Sequence, residues 1–410
     1  MIYFYYPVNT HKPGGVQNLI LNIARGLYSK GINCGILTFL NGYIHKQVIE
    51  EKLDCTFIDA DKPNLEGIKP DDVFVIFGAL EPALKDLKGV NARILYWSVF
   101  PDTLIQTFKI RIPARSEVYS NANPLSKYYT RRLAHTLANG HSGFFMDESH
   151  LKVLENYGVK GVFNHQNLLP IPVKVGARPT LKNLPPKGET LRLAYIGRAE
   201  DWKMFPFVSL VRDLENVHSN FSICIDIISE EPGQYLSFLE KHFHLPENIR
   251  FELHDDLAGE SLTTFLLTHT HLLFAMGTSL LEGCKAGVPA IITDPAYKVV
   301  PNSKYRFVAD EKGFCLGIPS WVFANQQGKR LQQVFDSHFC DNTSYQSLCN
   351  HSYLYVADYH NLDSWIDGFV GHIVETSIHI QDLKFVRLFF VVRRFLYEIA
   401  AKMLFASNES

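Results

Sequence analysis

Seven cysteines are scattered through the 410 residues, none of them spaced as Cys-x-x-Cys. An odd, dispersed set of this kind excludes a disulfide framework and a thiolate metal cluster, and it suits a reducing compartment. Charge of one sign is also lacking. Forty Lys and Arg stand against 42 Asp and Glu, a formal charge of -2 that provides no field for holding a polyanion. A dedicated nucleic-acid binder is excluded on that ground. Nowhere do about 18 uncharged apolar residues follow one another, so a membrane-spanning helix is not expected. The start, Ile2 to Val8, has no basic segment ahead of a long apolar run and reads as a first strand rather than a secretion signal. The expectation is a cytoplasmic protein, at most peripheral on the inner face of the plasma membrane. No segment is low in complexity, and 46% of residues are hydrophobic, enough to bury sizeable cores.

What is present is an alternation of strand-length apolar runs with helix-length amphipathic stretches, the pattern of a parallel sheet covered by crossover helices. Strands are expected at Ile2–Val8, Asn33–Phe39, Asp72–Phe77, Ala92–Trp97 and Glu117–Ser120, with a helix over Val16–Lys30. Residues 170–186, PIPVKVGARPTLKNLPP, are rich in proline and cations without periodicity and read as a linker. A second alternation follows, with strands at Leu191–Ile196, Phe221–Ile228, Ile249–Leu253, His271–Ala275 and Val288–Ile292. The expected fold class is α/β, with two Rossmann-like doubly wound domains and a C-terminal helical tail. The boundaries are 1–170, a linker at 171–189, 190–350, and a helical segment at 351–410. Residues 382–405 of the tail mix Lys and Arg with many Phe, Leu and Val, as a helix does that lies on an anionic membrane surface or packs across the protein.

Three segments carry candidate chemistry. In Leu193–Pro206, LAYIGRAEDWKMFP, Gly197 ends a strand, Arg198 follows at once, and Lys203 precedes a helix expected to open near Pro206. Two cations on one strand-to-helix loop suit a diphosphate that gains negative charge as its bond breaks. In residues 271–294, HLLFAMGTSLLEGCKAGVPAIITD, Gly277 permits close backbone approach, and Thr278 and Ser279 open a short helix whose amides can hold an anion. Glu282 is expected near the first turn of that helix, where it can accept hydrogen bonds from a ribose; its plainer role is to favour the helix dipole. In residues 10–19, THKPGGVQNL, Gly14 and Gly15 offer amides at a helix start. That segment is not Gly-x-Gly-x-x-Gly, and no phosphate loop of the Gly-Lys-Ser or Gly-Lys-Thr kind is expected.

Together these segments resemble the GT-B glycosyltransferases, and among them the retaining family 4 group. The resemblance covers roughly residues 1–300. It implies that Gly14 and Gly15 form the first-domain loop, that Arg198 and Lys203 of Gly-Arg-x-x-x-x-Lys hold the donor diphosphate, and that Glu282 binds the ribose. It further implies a sugar nucleotide as donor and a glycan or lipid-linked glycan as acceptor, in bacterial surface polysaccharide synthesis. The chain departs from the family where a second Glu usually stands eight residues before the ribose ligand, because that position is Phe274. Gly277, Thr278 and Ser279 look instead like a variant donor motif.

A base for the acceptor hydroxyl is sought among His11, Asp102, His141 and Asp147, with Asp102 and His141 placed first. His141 and His150 lack the spacing of a helical zinc pair, so no metal and no cofactor beyond the donor is expected. Two other readings stay open: a sugar-nucleotide epimerase of the same architecture, and a noncatalytic partner of a glycan-assembly enzyme.

Overall fold

Continuous apolar runs such as Val73–Phe77 are buried at every position, the pattern of parallel strands covered by helices on both faces. The computed structural model describes residues 1–8, 14–101, 103–108, 124–255, 257–300, 302–320 and 328–407, with side chains as far as Phe395. In chain order the elements begin with β1 (Ile2–Tyr5), α1 (Gly15–Ser29), β2 (Cys34–Thr38), α2 (Tyr43–Glu50), β3 (Cys55–Asp59), β4 (Val73–Phe77) and α3 (Leu80–Asp86). Next come β5 (Arg93–Ser98), α4 (Thr103–Gln106), α5 (Pro124–Asn139), β6 (Gly143–Phe145) and α6 (Glu148–Asn156). After a long irregular segment follow β7 (Thr190–Ile196), α7 (Asp201–Glu215), β8 (Ser222–Ile228), α8 (Pro232–His242), β9 (Ile249–His254) and α9 (Gly259–His269). The chain ends with β10 (Leu272–Ala275), α10 (Thr278–Lys285), β11 (Ala290–Ile292), α11 (Leu331–His338), α12 (Asn342–Tyr359), α13 (Leu362–Glu375) and α14 (Lys384–Ser407).

The chain forms two units, Met1–Pro172 with Leu362–Ser410, and Val173–Asn361. The first holds a parallel sheet of order β3-β2-β1-β4-β5-β6. The second holds a parallel sheet of order β11-β10-β7-β8-β9. Both are doubly wound α/β sheets of the Rossmann kind. In each, strand order reverses once, between β1 and β4 and between β7 and β10, and a crevice for a ligand forms beyond the carboxyl ends of the strands at such a reversal.

Aromatic rings fill both cores. In the first unit Trp97 of β5 stacks on Trp365 of α13 at 5.6 Å, and Trp365 stacks on Phe369 at 5.0 Å. Gly26 of α1 lies against Leu362, so close that a Cβ there would meet Leu362 Cδ1 at 3.0 Å. The helices expected as one tail over 351–410 are therefore divided, with α13 and α14 completing the first unit and α12 remaining in the second. In the second unit Tyr195, Phe207 and Tyr235 pack edge to face at 5.0 to 5.5 Å.

The segment expected as a linker is a tether only where the chain crosses at Pro172 and Val173. Beyond that it is laid along the second unit. Lys182 Nζ donates to the carbonyls of Leu266 and Thr270 at the end of α9, and the Leu184 amide donates to Asn342 Oδ1 at 2.7 Å. The strand expected at Glu117–Ser120 lies outside the described residues. Strands β3 and β6 have no counterpart among the expected ones, being respectively half exposed and three residues long.

Candidate functional site

β7 and β10 pair in parallel with Ile196 opposite Ala275, so the loops that follow them leave the second sheet side by side at its strand-order reversal. The segment after β7 is held from below by two tyrosines of the core. Tyr235 Oη donates to the Arg198 carbonyl at 2.9 Å, and Tyr195 Oη donates to the Lys203 carbonyl at 2.7 Å. Gly197 is needed for space: a Cβ there would meet Tyr235 Oη at 2.8 Å and Lys203 Cδ at 3.5 Å. The lysine stem thus runs across the glycine.

Helix α7 opens at Asp201, earlier than the expected start near Pro206, which places Lys203 in its first turn rather than on the loop. Proline ordinarily breaks a helix because it lacks the N–H that would bond the carbonyl four residues back. Here that carbonyl, on Trp202, accepts the Ala296 amide at 3.0 Å instead. Pro206 therefore sits inside α7 and ties its first turn to the loop after β11.

The two cations are differently placed. Arg198 is more than half exposed and makes a loose pair with Glu200, 3.3 Å from Nη2 to Oε1. An ion pair so exposed is worth little and leaves the guanidinium ready for an anion. Lys203 is mostly buried, with Nζ 4.8 Å from the centre of the Trp202 ring. Burial, and after it the positive Arg198, push its pKa down to about 8, while Glu200 acts in the opposite sense. That Arg198 acts on Lys203 in this way puts both charges in one local field.

Only Met276 and Gly277 separate β10 from α10. Gly277 has φ +67°, a conformation that side-chain-bearing residues rarely adopt, and its amide donates to the Leu316 carbonyl at 2.8 Å. No side chain caps the amino end of α10, where half-buried Thr278 and Ser279 begin the helix. Uncapped helix amides of this kind can hold an anion, and this helix follows the strand that neighbours β7. So short a connection has no room for an acidic loop residue, and Phe274 is fully buried in β10 with its ring 6.0 Å from Tyr305.

Glu282 lies in the second turn of α10, beyond the first-turn position expected for it, so the dipole explanation of this residue falls away. It stands four residues after Thr278 on the same helix face, and side chains on a helix lean toward its amino end. The carboxylate pairs with Lys285 and is about a quarter exposed. After α10 the Gly287 amide bonds the Cys284 carbonyl and the Val288 amide the Gly283 carbonyl, a Schellman ending that directs the chain into β11.

A buried ion cluster missed by sequence reasoning steadies the rim. Arg306 donates to both oxygens of Asp294, at 2.8 and 2.9 Å, and pairs with Glu311 at 2.6 Å. Asp294 also accepts the Ile318 amide at 2.7 Å, which fixes the segment that holds Gly277 through Leu316. Residues 12 and 17 positions from Asp294 along the chain leave no local pattern by which to find them.

The first unit brings fewer expected residues together. Gly14 and Gly15 stand at the start of α1, beyond the carboxyl end of β1. His11 and Asp102 lie outside the described residues. His141 is exposed on the turn that enters β6, with φ +48°. It therefore sits at the amino edge of the sheet, opposite the edge that carries Gly14, and does not join it. Asp147 is fully buried as the N-cap of α6, where one oxygen accepts the Ser149 amide at 2.8 Å and faces His150 Nδ1 at 3.2 Å. Its other oxygen, Oδ2, and His150 Nε2 are buried without a hydrogen-bond partner.

Two groups invite a metal reading. Cys224, Asp226 and Glu252 converge on a face of β8 and β9, but Arg192 donates to both carboxylates, so their charge is already matched. Asp59-Ala60-Asp61 has the Asp-x-Asp spacing seen in metal-dependent sites, and there Asp59 Oδ1 accepts the Asp61 amide at 3.1 Å at the end of edge strand β3. Neither lies at the strand-order reversals.

No sequence-family profile and no curated protein sequence matches the chain. Solved structures do. A glycosyltransferase from Rickettsia africae ESF-5 superposes with a TM-score of 0.56 at 14% identity, over 92% of this chain and 98% of that one. Anabaena Alr3699/HepE in complex with UDP-glucose gives 0.52 at 12% identity, over 90% and 99%. The lipopolysaccharide outer core galactosyltransferase WaaB in its apo form gives 0.53 at 11% identity, over 91% and 99%. Likeness over nearly the full length of each, at identities this low, establishes the fold: the chain has the two-domain GT-B architecture of these glycosyltransferases.

Proposed function

We propose that the protein is a glycosyltransferase that takes its sugar from a nucleoside-diphosphate sugar bound by the second unit. One observation carries the reading. At the single strand-order reversal of that sheet, the segment with Arg198 and Lys203 follows β7, and the uncapped amino end of α10 follows the adjacent β10, an arrangement that would supply fixed positive charge where a departing diphosphate becomes more negative. Glu282, leaning back along α10, is the acceptor of the ribose hydroxyls, and Gly197 and Gly277 let the backbone approach the phosphates. Alr3699/HepE, of the same fold, has been solved with UDP and with UDP-glucose, which supports a uridine donor.

The first unit would receive the acceptor hydroxyl, of a glycan or lipid-linked glycan of surface polysaccharide synthesis. Asp102 stays a candidate base, whereas His141 on the opposite sheet edge does not. An inverting transfer would need such a base to take the acceptor proton, whereas in a retaining, front-side transfer the departing diphosphate would take it. The test is incubation with a panel of nucleotide sugars and glycan acceptors, read by mass spectrometry. A glycosylated acceptor with release of nucleoside diphosphate supports the proposal. Epimerised donor without acceptor consumption points to an isomerase, and donor binding with no turnover on any acceptor points to a noncatalytic partner.

A further inference from the structure

Helix α14 is apolar on two sides. Val386 and Phe389 are buried against the first unit, with Phe389 4.9 Å from Phe108 and from Tyr129 of α5. On the opposite side Leu388, Val391, Val392 and Phe395 recur at helical spacing and are 39 to 66% exposed. A helix that only completes a core carries mainly polar residues on its outer face, whereas this one exposes four large apolar side chains.

Cations border the exposed stripe. Lys384 and Arg394 lie exposed along α14, and Arg132 of α5 covers the Phe385 ring at 4.4 Å. Neither residues 124–139 nor 384–395 contain a carboxylate, in a chain whose total charge is -2. Arg393, on the buried side, is paired with Glu81 and lies outside this border.

We propose that this face of α5 and α14 docks on an anionic lipid surface, with the stripe entering the acyl boundary and the cations meeting headgroup phosphates. No helix among the described residues is long and apolar enough to cross a membrane, so α14 lies in the interface rather than spanning it. A second copy is the poorer occupant. Two-fold pairing through one patch would set Lys384, Arg394 and Arg132 of one copy against the same cations of the other. The inference does not depend on the donor site.

Flotation with vesicles of phosphatidylcholine, alone or with phosphatidylglycerol, tests it on the full chain. The wild type should float only with phosphatidylglycerol, and less at high salt. V391D/F395D and K384E/R394E change only exposed side chains, so thermal melting should hold while vesicle binding falls at least about tenfold in each. Equal binding by wild type and both variants would overturn the proposal, as would no binding to phosphatidylglycerol vesicles. So would a dimer in analytical ultracentrifugation that V391D/F395D dissociates while vesicle binding persists.

Discussion

Lys203 shows how one side chain can be set for an anion before the anion arrives. Burial and Arg198 hold it near a pKa of 8 in the unliganded protein. A diphosphate at the site favours the charged amine and raises that pKa, so binding takes up a proton above pH 8 and none well below it. UDP affinity should therefore be flat up to neutral pH and decline above pH 8, approaching roughly tenfold per unit. In Lys203→Arg, whose guanidinium keeps its charge, the decline should vanish. Calorimetric titration across pH checks this, and equal slopes in both proteins would remove Lys203 from the site. Arg306 makes a second prediction at this scale. It is only 6% exposed and satisfies Asp294 and Glu311 together. Arg306→Met leaves two half-sheltered carboxylates without their cation, at a cost of about 3 kcal/mol or more. Chemical denaturation should show that loss, and donor affinity should fall as well, because Asp294 anchors the segment behind Gly277.

The site depends on where two helices begin. α10 starts two residues after β10 because Gly277 adopts a φ of +67° that turns the chain sharply, with open space where a Cβ would stand. Gly277→Ala thus meets no atom, only backbone strain of about 1 to 3 kcal/mol. Expected is a modest drop in melting temperature with a larger loss of donor affinity, since relaxation tilts the amides of Thr278 and Ser279. A loss of stability with affinity intact would separate the helix start from the site. Much of this was legible in the chain: Gly197, Arg198 and Lys203 follow an apolar run, and Gly277 to Glu282 follow another. The start of α7 was not, because Pro206 reads as a boundary unless one knows that Ala296 supplies the missing donor. The strand end at Ala275 and the helix over Glu282 were legible too, the observed helix starting one residue before the expected Ser279.

At the scale of the molecule the first unit is discontinuous in sequence, the chain leaving it at Pro172 and returning at Leu362. Such a return is invisible to local patterns: α13 and α14 look like any amphipathic helices, and only contacts such as Trp97 with Trp365 assign them. The Thr376 hydroxyl donates to the Ile94 carbonyl at 2.8 Å and the Ser377 amide to the Gly140 carbonyl at 2.9 Å, sewing the returning chain to the amino edge of the first sheet. Deletion of 362–410 should therefore strip hydrogen-exchange protection from residues 1–172 while 173–361 keeps its own. Protection unchanged in both would contradict the assignment of these helices. The two doubly wound sheets, by contrast, are plain in the alternation of apolar runs and helices.

The most direct measurement is a calorimetric titration of UDP into the wild type, Arg198→Ala and Lys203→Ala, each checked for a native melting temperature. A shared cationic crevice predicts affinity lower by at least about tenfold in either variant, consistent with the loss of a charge-assisted contact of roughly 1.5 to 3 kcal/mol. Unchanged affinity in both folded variants would contradict it.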